Sequence, residues 1–170
     1  MASALTHRNL PLLLLQAREA VLSHFRPIIN HFGLTEQQWR IIRTLAENEA
    51  MEPRQIAEVC MILGPSLAGV LARMDELNLV ERRRVDTDQR RVLVSLTAKS
   101  RELVKRMAPL VEAQYGELER AVGHAAIAEA YRTVDRLLEQ LRAPVAPVEL
   151  PKAAPRRAAR RTSARKTLRS

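Results

Sequence analysis

The spacing of apolar residues changes from helical to alternating near residue 79, and this change limits the fold more than any other feature. Before it, two short segments repeat apolar side chains every three or four positions: residues 53–60 and 65–77. After it, two short segments have the pattern of strands: residues 79–84 and 92–96. Two short helices followed by a hairpin predict a helix-turn-helix with a β-hairpin wing.

Longer helices are predicted on both sides of this unit. The first covers residues 10–32 and contains Pro27, which is expected to kink it or end its regular part. Thr35 and Gln38 have the spacing of a capping box, so the next helix is expected at 36–48. A long helix that Pro109 should bend and a last one with a coiled-coil-like seam are expected at 98–122 and 125–142.

The expected fold is therefore mainly α with a small β-hairpin wing, in the class of winged helix-turn-helix proteins with a helical dimerisation region. Residues 35–97 would form the DNA-binding domain. Residues 1–34 and 98–142 would form the dimerisation region, because their aliphatic stripes need a partner to cover them. Only 3% of the residues are aromatic, so the core must be aliphatic.

Most of the net charge of +9 lies in the last 28 residues, where eight basic side chains face one acidic side chain. Residues 143–170 are rich in alanine, proline and basic residues, and we expect a disordered basic tail. Such a tail either attracts DNA phosphates without regard to sequence or is a passive solubilising extension, and the charge favours attraction. Because the tail dominates the total charge, DNA binding by the folded part must be argued from local patterns.

The helix at 65–77 has small residues opposite its apolar stripe, which allow close approach to a major groove. Around the hairpin, several guanidinium groups lie so close together that they need an anionic partner. Arg90 fits a minor groove, and Asp88 is expected to brace it by a bidentate ion pair. The alternatives are a small-faced surface helix and a solvated charged hairpin. The candidate DNA-binding residues are Arg54, Ser66, Leu67, Gly69, Arg73, Arg82, Arg84, Asp88, Arg90 and Arg91.

Three stretches of the sequence resemble the MarR family of regulators. They are PSLAGVLARM from Pro65, LVERR from Leu79 and DQRRVLVSLT from Asp88. Further stretches from Leu10, Ser23 and Thr35 are similar to the homoprotocatechuate-degradation repressor branch of that family. The resemblance covers residues 10–142 and implies a homodimeric repressor of an aromatic-acid catabolic operon. It would be released from a pseudo-palindromic DNA operator by a small phenolic or heteroaromatic carboxylate.

The resemblance also implies a site for this effector. Arg18 and His24 on the first helix, with Trp39 and Arg43 on the second, could supply charge, a hydrogen bond and a stacking face. The alternative is that Trp39 belongs to the core and the others are solvated or paired with nearby carboxylates. Cys60 occupies an apolar helical position, so a buried inert thiol is favoured over an oxidant sensor.

Other classes of function find little support in the sequence. A single cysteine excludes an intramolecular disulfide. The four histidines lack metal-ligand spacing, so we expect no metal. No phosphate loop or nucleophile motif is present, so we expect no cofactor and no enzyme activity. The apolar run at residues 10–15 is too short for a membrane span, which favours a cytoplasmic protein. The alternative function is a non-specific architectural DNA-binding protein that acts through its basic tail.

Overall fold

The computed structural model describes residues 5–151 of the 170-residue chain. The elements in this range follow the predicted order, with one additional strand. They are α1 (Leu10–Ser23), α2 (Arg26–His31), α3 (Glu36–Asn48), β1 (Ala50–Met51), α4 (Pro53–Val59), α5 (Gly64–Glu76), β2 (Val80–Val85), β3 (Asp88–Leu96), α6 (Ala98–Val122) and α7 (His124–Gln140).

The segment predicted as one interrupted helix, residues 10–32, forms α1 and α2. Pro27 lies in the first turn of α2, where its missing N–H group has no intrahelical acceptor to lose. The proline ring clashes with the carbonyl four residues earlier in a continuous helix, which explains why α1 ends at Ser23. The predicted interruption is confirmed, and it lies at residues 24 and 25, just before the proline.

The predicted capping box at the start of α3 is confirmed. The backbone N–H of Gln38 donates to Thr35 Oγ1 at 3.2 Å, and the backbone N–H of Thr35 donates to Gln38 Oε1 at 2.9 Å. Both otherwise unpaired donors at this helix end are therefore satisfied by side chains. The helix has the predicted bounds, Glu36–Asn48.

A three-stranded antiparallel sheet of order β1-β3-β2 forms the wing and its base. The hairpin is longer than predicted, because β3 begins at Asp88 and only Asp86 and Thr87 form the tip. The pairing is irregular between Arg84 and Val85, near that tip. The third strand, β1, was not predicted, since a strand of two residues carries no measurable alternation.

An aliphatic core holds the helix-turn-helix against the sheet and α6. Its members that are no more than 2% exposed come from α2, α3, α4 and the residue after it, α5, the sheet and α6: Ile29, Ile41, Ile42, Leu45, Ile56, Cys60, Leu67, Leu71, Met74, Val80, Val94, Leu96 and Met107. Because all these elements share one packed core, α5 and the base of the wing have a fixed relative position.

Two short polar contacts attach the start of α6 to the base of the wing. Thr97 caps α6 through the backbone N–H of Ser100, and its hydroxyl donates to the carbonyl of Asn78 at 2.9 Å. The hydroxyl of Ser100, which is fully buried, donates to the carbonyl of Leu79 at 2.6 Å. The turn before β2 is therefore bonded directly to the long helix.

Helix α6 continues through Pro109 to Val122, and Gly123 then takes a φ of 98°, a conformation that glycine adopts at little cost. The described residues up to Ile127 form one compact unit, and those from Ala128 onward form a second. Helix α7, the last helix of the described residues, has no buried side chain.

Residues 143–151 contain neither helix nor strand, and the rest of the predicted basic tail lies outside the described residues. Within residues 5–151, no single helix has the length and composition of a membrane span. Helices α4 and α5 reach that length and composition only as a pair, across a bend of 112°.

Candidate nucleic-acid interface

Helix α5 divides into a buried face and an exposed face of small side chains. Its apolar residues recur every three or four positions, so that Leu67, Leu71 and Met74 all point into the core. On the opposite side, the exposed residues are Ser66, Ala68, Gly69, Ala72 and Arg73. A Cβ atom added to Gly69 would meet no atom within 4 Å, so the space in front of this face is open.

The prediction that Leu67 contacts DNA is wrong. Leu67 is only 2% exposed and packs in the same core as Leu71 and Met74, so no DNA atom can reach it without unfolding the helix. Ser66, its neighbour in the chain, is exposed at the beginning of α5. The first turn of this helix therefore presents one polar side chain outward and one apolar side chain inward.

Two candidate cations near this face are held by exposed ion pairs within their own helices. Arg73 lies 2.8 Å from Glu76 on α5, and Arg54 lies 3.1 Å from Glu58 on α4. Exposed pairs of this kind contribute little to stability, about 0.2–1 kcal/mol. A DNA phosphate could therefore replace either carboxylate at small cost.

The arginines of the wing differ in whether their guanidinium groups have a partner. Arg82 approaches Asp75 at 3.8 Å, which links β2 to the end of α5. In contrast, the guanidinium groups of Arg83, Arg84 and Arg90 form no hydrogen bond or ion pair within residues 5–151, and all three are exposed. The part of the wing nearest its tip thus carries three guanidinium groups without a direct partner in the described residues, beside the carboxylates of Asp86 and Asp88.

Asp88 does not brace Arg90 in the predicted way. Its Oδ1 accepts a hydrogen bond of 3.0 Å from the backbone N–H of Arg90, and no ion pair joins the two side chains in the described part of the chain. Such a bond from an aspartate to a backbone N–H two residues later is typical of a turn. Asp88 therefore shapes the backbone at the tip and leaves the guanidinium of Arg90 available to another partner.

Arg91 connects the wing to the start of the helix-turn-helix. Its Nε and Nη2 both donate to Glu52 Oε1, at 2.6 Å and 2.5 Å. Glu52 is the N-cap residue of α4 and directly follows β1, which pairs with β3. The ion pair therefore continues the contact between β1 and β3 toward the wing.

Three of the polar or aromatic residues of α3 lie on one face: Glu36, Trp39 and Arg43 follow one another at successive turns. At the beginning of this face, Arg18 of α1 pairs with Glu36 at 3.6 Å. Trp39 is half-buried against the core. His24 is exposed after the end of α1, and its side chain forms no hydrogen bond, ion pair or ring contact with the other three candidates in the described range.

Arg26 was not among the predicted residues, but it organises the charges beside this face. It donates to both carboxylate oxygens of Glu19, at 2.5 Å and 2.7 Å, and also to Glu36. The hydrogen bond from Arg26 lowers the pKa of Glu19 below its ordinary value, and the bonds to Glu19 and Glu36 raise the pKa of Arg26. The negative charge of Glu36 is thus paired with both Arg18 and Arg26.

At the other end of the same face, Arg43 contacts Tyr115 of α6, a residue that was not among the predicted effector residues. The Nη1 of Arg43 donates to the Tyr115 hydroxyl at 3.4 Å, and its guanidinium carbon lies 5.8 Å from the centre of the ring. The Tyr115 ring also packs on Phe25, with 4.7 Å between ring centres. Partial burial opposes the charge of Arg43, but Tyr115 and Glu47 outweigh it, so the pKa of Arg43 is raised.

A cavity of about 550 Å³ lies elsewhere, where the end of α3 and the sheet meet the first turns of α6. Its lining includes Leu45, Ala50, Leu96 and Arg101, and none of the four predicted effector residues. This cavity is therefore separate from the candidate effector residues.

Cys60 is fully buried, as the sequence favoured. Its thiol donates to Thr44 Oγ1 at 3.4 Å, and its carbonyl accepts a 2.6 Å hydrogen bond from Arg40. Among residues 5–151, no group of three or more histidine, cysteine or acidic side chains has the arrangement of a metal site.

Comparison with known proteins agrees with this geometry. A profile of the MarR family matches residues 32–91. The chain is 42% identical to the homoprotocatechuate degradative operon repressor of Escherichia coli over 134 residues, 79% of this chain and 88% of that protein. It is 41% identical to the HTH-type transcriptional regulator FarR of Neisseria gonorrhoeae over 69% of this chain and 80% of that one. The structure of NadR in complex with 4-hydroxyphenylacetate is similar with a TM-score of 0.72 and 37% identity, and the alignment covers 85% of this chain and 100% of NadR.

Proposed function

The chain belongs to the MarR family of transcriptional regulators, and from this we propose that it is a homodimeric repressor of an operon for aromatic-acid catabolism. The family and the relatives are regulators and not enzymes, so the chain acts by binding. The observation that carries the proposal is the open, small-residue face of α5 beside a wing on which three arginines form no ion pair within the described residues.

In this proposal, α5 enters the major groove of the operator. Ser66 and Gly69 allow the helix to approach the base edges, and the Ser66 hydroxyl can bond to a base or a phosphate. Arg73 exchanges Glu76 for DNA, and Arg54 exchanges Glu58 for a phosphate. The core fixes α5 from behind, so these contacts form without reorganising the helix.

The wing follows the backbone into the flanking minor groove. The guanidinium groups of Arg90 and Arg84 form no ion pair within the described residues, and the negative potential of a narrow minor groove favours a guanidinium. Arg82 lies nearer the base of the wing, close to Asp75, and is suited to a phosphate contact. Arg91 keeps its bond to Glu52 and supports the wing.

In this proposal, a second copy of the chain covers the exposed apolar side chains of α1 and α7. Helix α1 has no buried residue, and five of its aliphatic side chains are 40–58% exposed: Leu10, Leu12, Leu14, Leu15 and Val21. Helix α7 likewise exposes Val134 and Leu138. Residues 1–34 and 98–142 would form the dimerisation region, and the two α5 helices would meet successive major grooves about 34 Å apart.

The effector is a small aromatic carboxylate that binds along the face of α3. Arg43 supplies the charge for the carboxylate, and Trp39 and Tyr115 offer aromatic surfaces beside it. The 4-hydroxyphenylacetate bound by NadR has this chemistry. Arg18 is compensated by Glu36 and would serve as a second cation when the effector or the partner copy displaces that carboxylate.

Release from DNA follows if the effector binds the dimer better in the state that does not fit the operator. The α3 face contacts both α1 and α6, so a ligand there can change the spacing of the two α5 helices. As a DNA-bound regulator, the protein would act in the cytoplasm.

The test is binding to the DNA upstream of its own coding region, measured by fluorescence anisotropy with and without 4-hydroxyphenylacetate and related acids. We expect specific binding that one acid releases. In Arg43→Gln, the acid concentration needed for release should rise at least tenfold, while binding without acid serves as the control. Equal release of the variant and the natural protein would remove Arg43 from the effector site.

A further inference from the structure

Met61 and Leu63 expose large apolar side chains immediately before α5, and we refer to these two residues as the turn patch. Met61 is 85% exposed and Leu63 is 79% exposed. Ile62, which lies between them, is 7% exposed and fixes the turn to the core. The turn is therefore held in place while the side chains on both sides of Ile62 point away from the core.

The N-terminus of α5, like that of α2, lacks the accepting side chain that caps three other helices of the described residues. Asn9, Thr35 and Thr97 each accept a hydrogen bond at the start of α1, α3 and α6. The N-cap position of α5 is instead occupied by Leu63, whose side chain can accept none. A serine or aspartate at this position would stabilise the helix, so leucine here lowers local stability.

Met61, in the same turn, has an unfavourable backbone conformation. Its φ of 49° is a left-handed conformation that glycine or asparagine adopts more easily than methionine. Two unfavourable local choices within three residues, each with an exposed apolar side chain, indicate a contact surface, because such conflicts concentrate at functional sites.

We propose that the turn patch contacts the 5-methyl groups of thymines in the major groove, so that Leu63 and Met61 help to determine the operator sequence. This inference rests on the proposed function, in which α5 enters that groove. Leu63 lies three residues before Ser66, at the end of the helix that leads into the groove. Base edges in the major groove are polar except for the thymine methyl group, which is the one apolar partner available there.

The test replaces single thymines of the operator half-site by uracil, which removes only the methyl group. For the natural protein, the affinity should fall about fourfold at the contacted thymine, the effect of burying one methyl group. Leu63→Ala should bind the thymine operator more weakly and should lose this sensitivity to uracil. Equal sensitivity of both proteins at every thymine, or no sensitivity in either, would overturn the proposal.

The variant Leu63→Ser distinguishes a loss of DNA contact from a loss of stability. Serine restores a capping side chain, so the variant should unfold at the same temperature as the natural protein or higher, yet it should bind the operator like Leu63→Ala. Leu63→Met should keep both affinity and sensitivity to uracil. Unchanged operator binding by Leu63→Ser would also overturn the thymine contact. Absence of specific DNA binding by the natural chain would instead contradict the proposed function itself.

Discussion

Arg90 and Arg91 are neighbours in the chain, and the sequence predicted the same role for both, but their side chains have different surroundings. The guanidinium of Arg90 has no partner within the described residues, whereas that of Arg91 is bonded twice to Glu52. A side chain with an intramolecular partner loses that partner when it turns to DNA. The structure thus divides the arginines of the wing into those that are free to bind an anion and those that position the wing.

Replacing Arg90 by alanine should weaken operator binding about tenfold, ~1.4 kcal/mol, and should reduce the salt dependence by about one phosphate contact. Lys105→Ala is the matched control, because it removes the same charge from an exposed residue of α6. Both values come from anisotropy titrations at several salt concentrations. A loss of affinity in Arg90→Ala no greater than in Lys105→Ala would remove the wing tip from the mechanism.

Glu52→Gln distinguishes the two possible roles of Arg91 by the sign of its effect. If Arg91 positions the wing, removal of the carboxylate should weaken operator binding, although it also removes a negative charge. If Arg91 instead contacts a phosphate, the same change should strengthen binding, because Glu52 no longer competes for it. Glu49→Gln gives the effect of the charge alone, since Glu49 lies nearby and has no ion pair within the described residues.

Tyr115 shows why part of the candidate site could not be predicted at the scale of residues. It meets Arg43 across 72 positions of the chain, and no local spacing connects the two. Leu67 shows the opposite case, because the same three-and-four spacing that identified α5 also places Leu67 in the core. Side-chain direction within an element is therefore predictable, while contacts between distant elements are not.

At the scale of elements, polar side chains decide where helices begin and how they attach to the sheet. Thr35 and Gln38 made the start of α3 predictable, and the side chain of Thr97 caps α6 in the structure. The strand β1 was missed because it depends on pairing with β3 rather than on a pattern of its own. The buried hydroxyl of Ser100 was also missed, because its acceptor, the carbonyl of Leu79, lies in a different element.

Ser100→Ala should lower the free energy of unfolding by about 1–2 kcal/mol, since it removes a buried hydrogen bond to the base of the wing. Ser23→Ala removes a hydroxyl that also donates to a backbone carbonyl, at 2.7 Å, but on the exposed end of α1. This control should change stability by less than about 0.5 kcal/mol. Urea titration followed by circular dichroism measures both, and equal values would show that the Ser100 bond contributes nothing beyond a surface bond.

In the molecule as a whole, a single chain leaves the apolar side chains of α1 and α7 uncovered. The sequence predicted aliphatic stripes on them, and in the structure α1 and α7 have no buried residue, while α3, α5 and the sheet share a continuous core. The sequence could predict this exposure because helical periodicity identifies an apolar face whether or not the same chain covers it. It could not predict the partner's position, which depends on shape.

Leu15→Asp should convert the dimer to a monomer, because it places a charge within the exposed stripe of α1. Sedimentation equilibrium should then give half the mass, and operator affinity should fall because each chain holds only one half-site. Gln16→Asp introduces the same charge one position away, on a polar residue, and should leave the mass unchanged. A dimeric Leu15→Asp would contradict the assignment of α1 to the dimerisation region.

In the proposed function, α5 and the wing, rather than the basic tail, recognise a specific DNA sequence. The most direct test compares the full chain with a chain that ends at Pro151, each bound to the DNA upstream of its own coding region and to a shuffled duplex of the same composition. At one fixed salt concentration, we expect both chains to prefer the natural duplex by a factor of about 10³ or more, with weaker total binding and a smaller salt dependence for the shortened chain. A preference that is absent in the full chain, or lost on removal of the tail, would contradict the account and favour an architectural protein that binds DNA by charge alone.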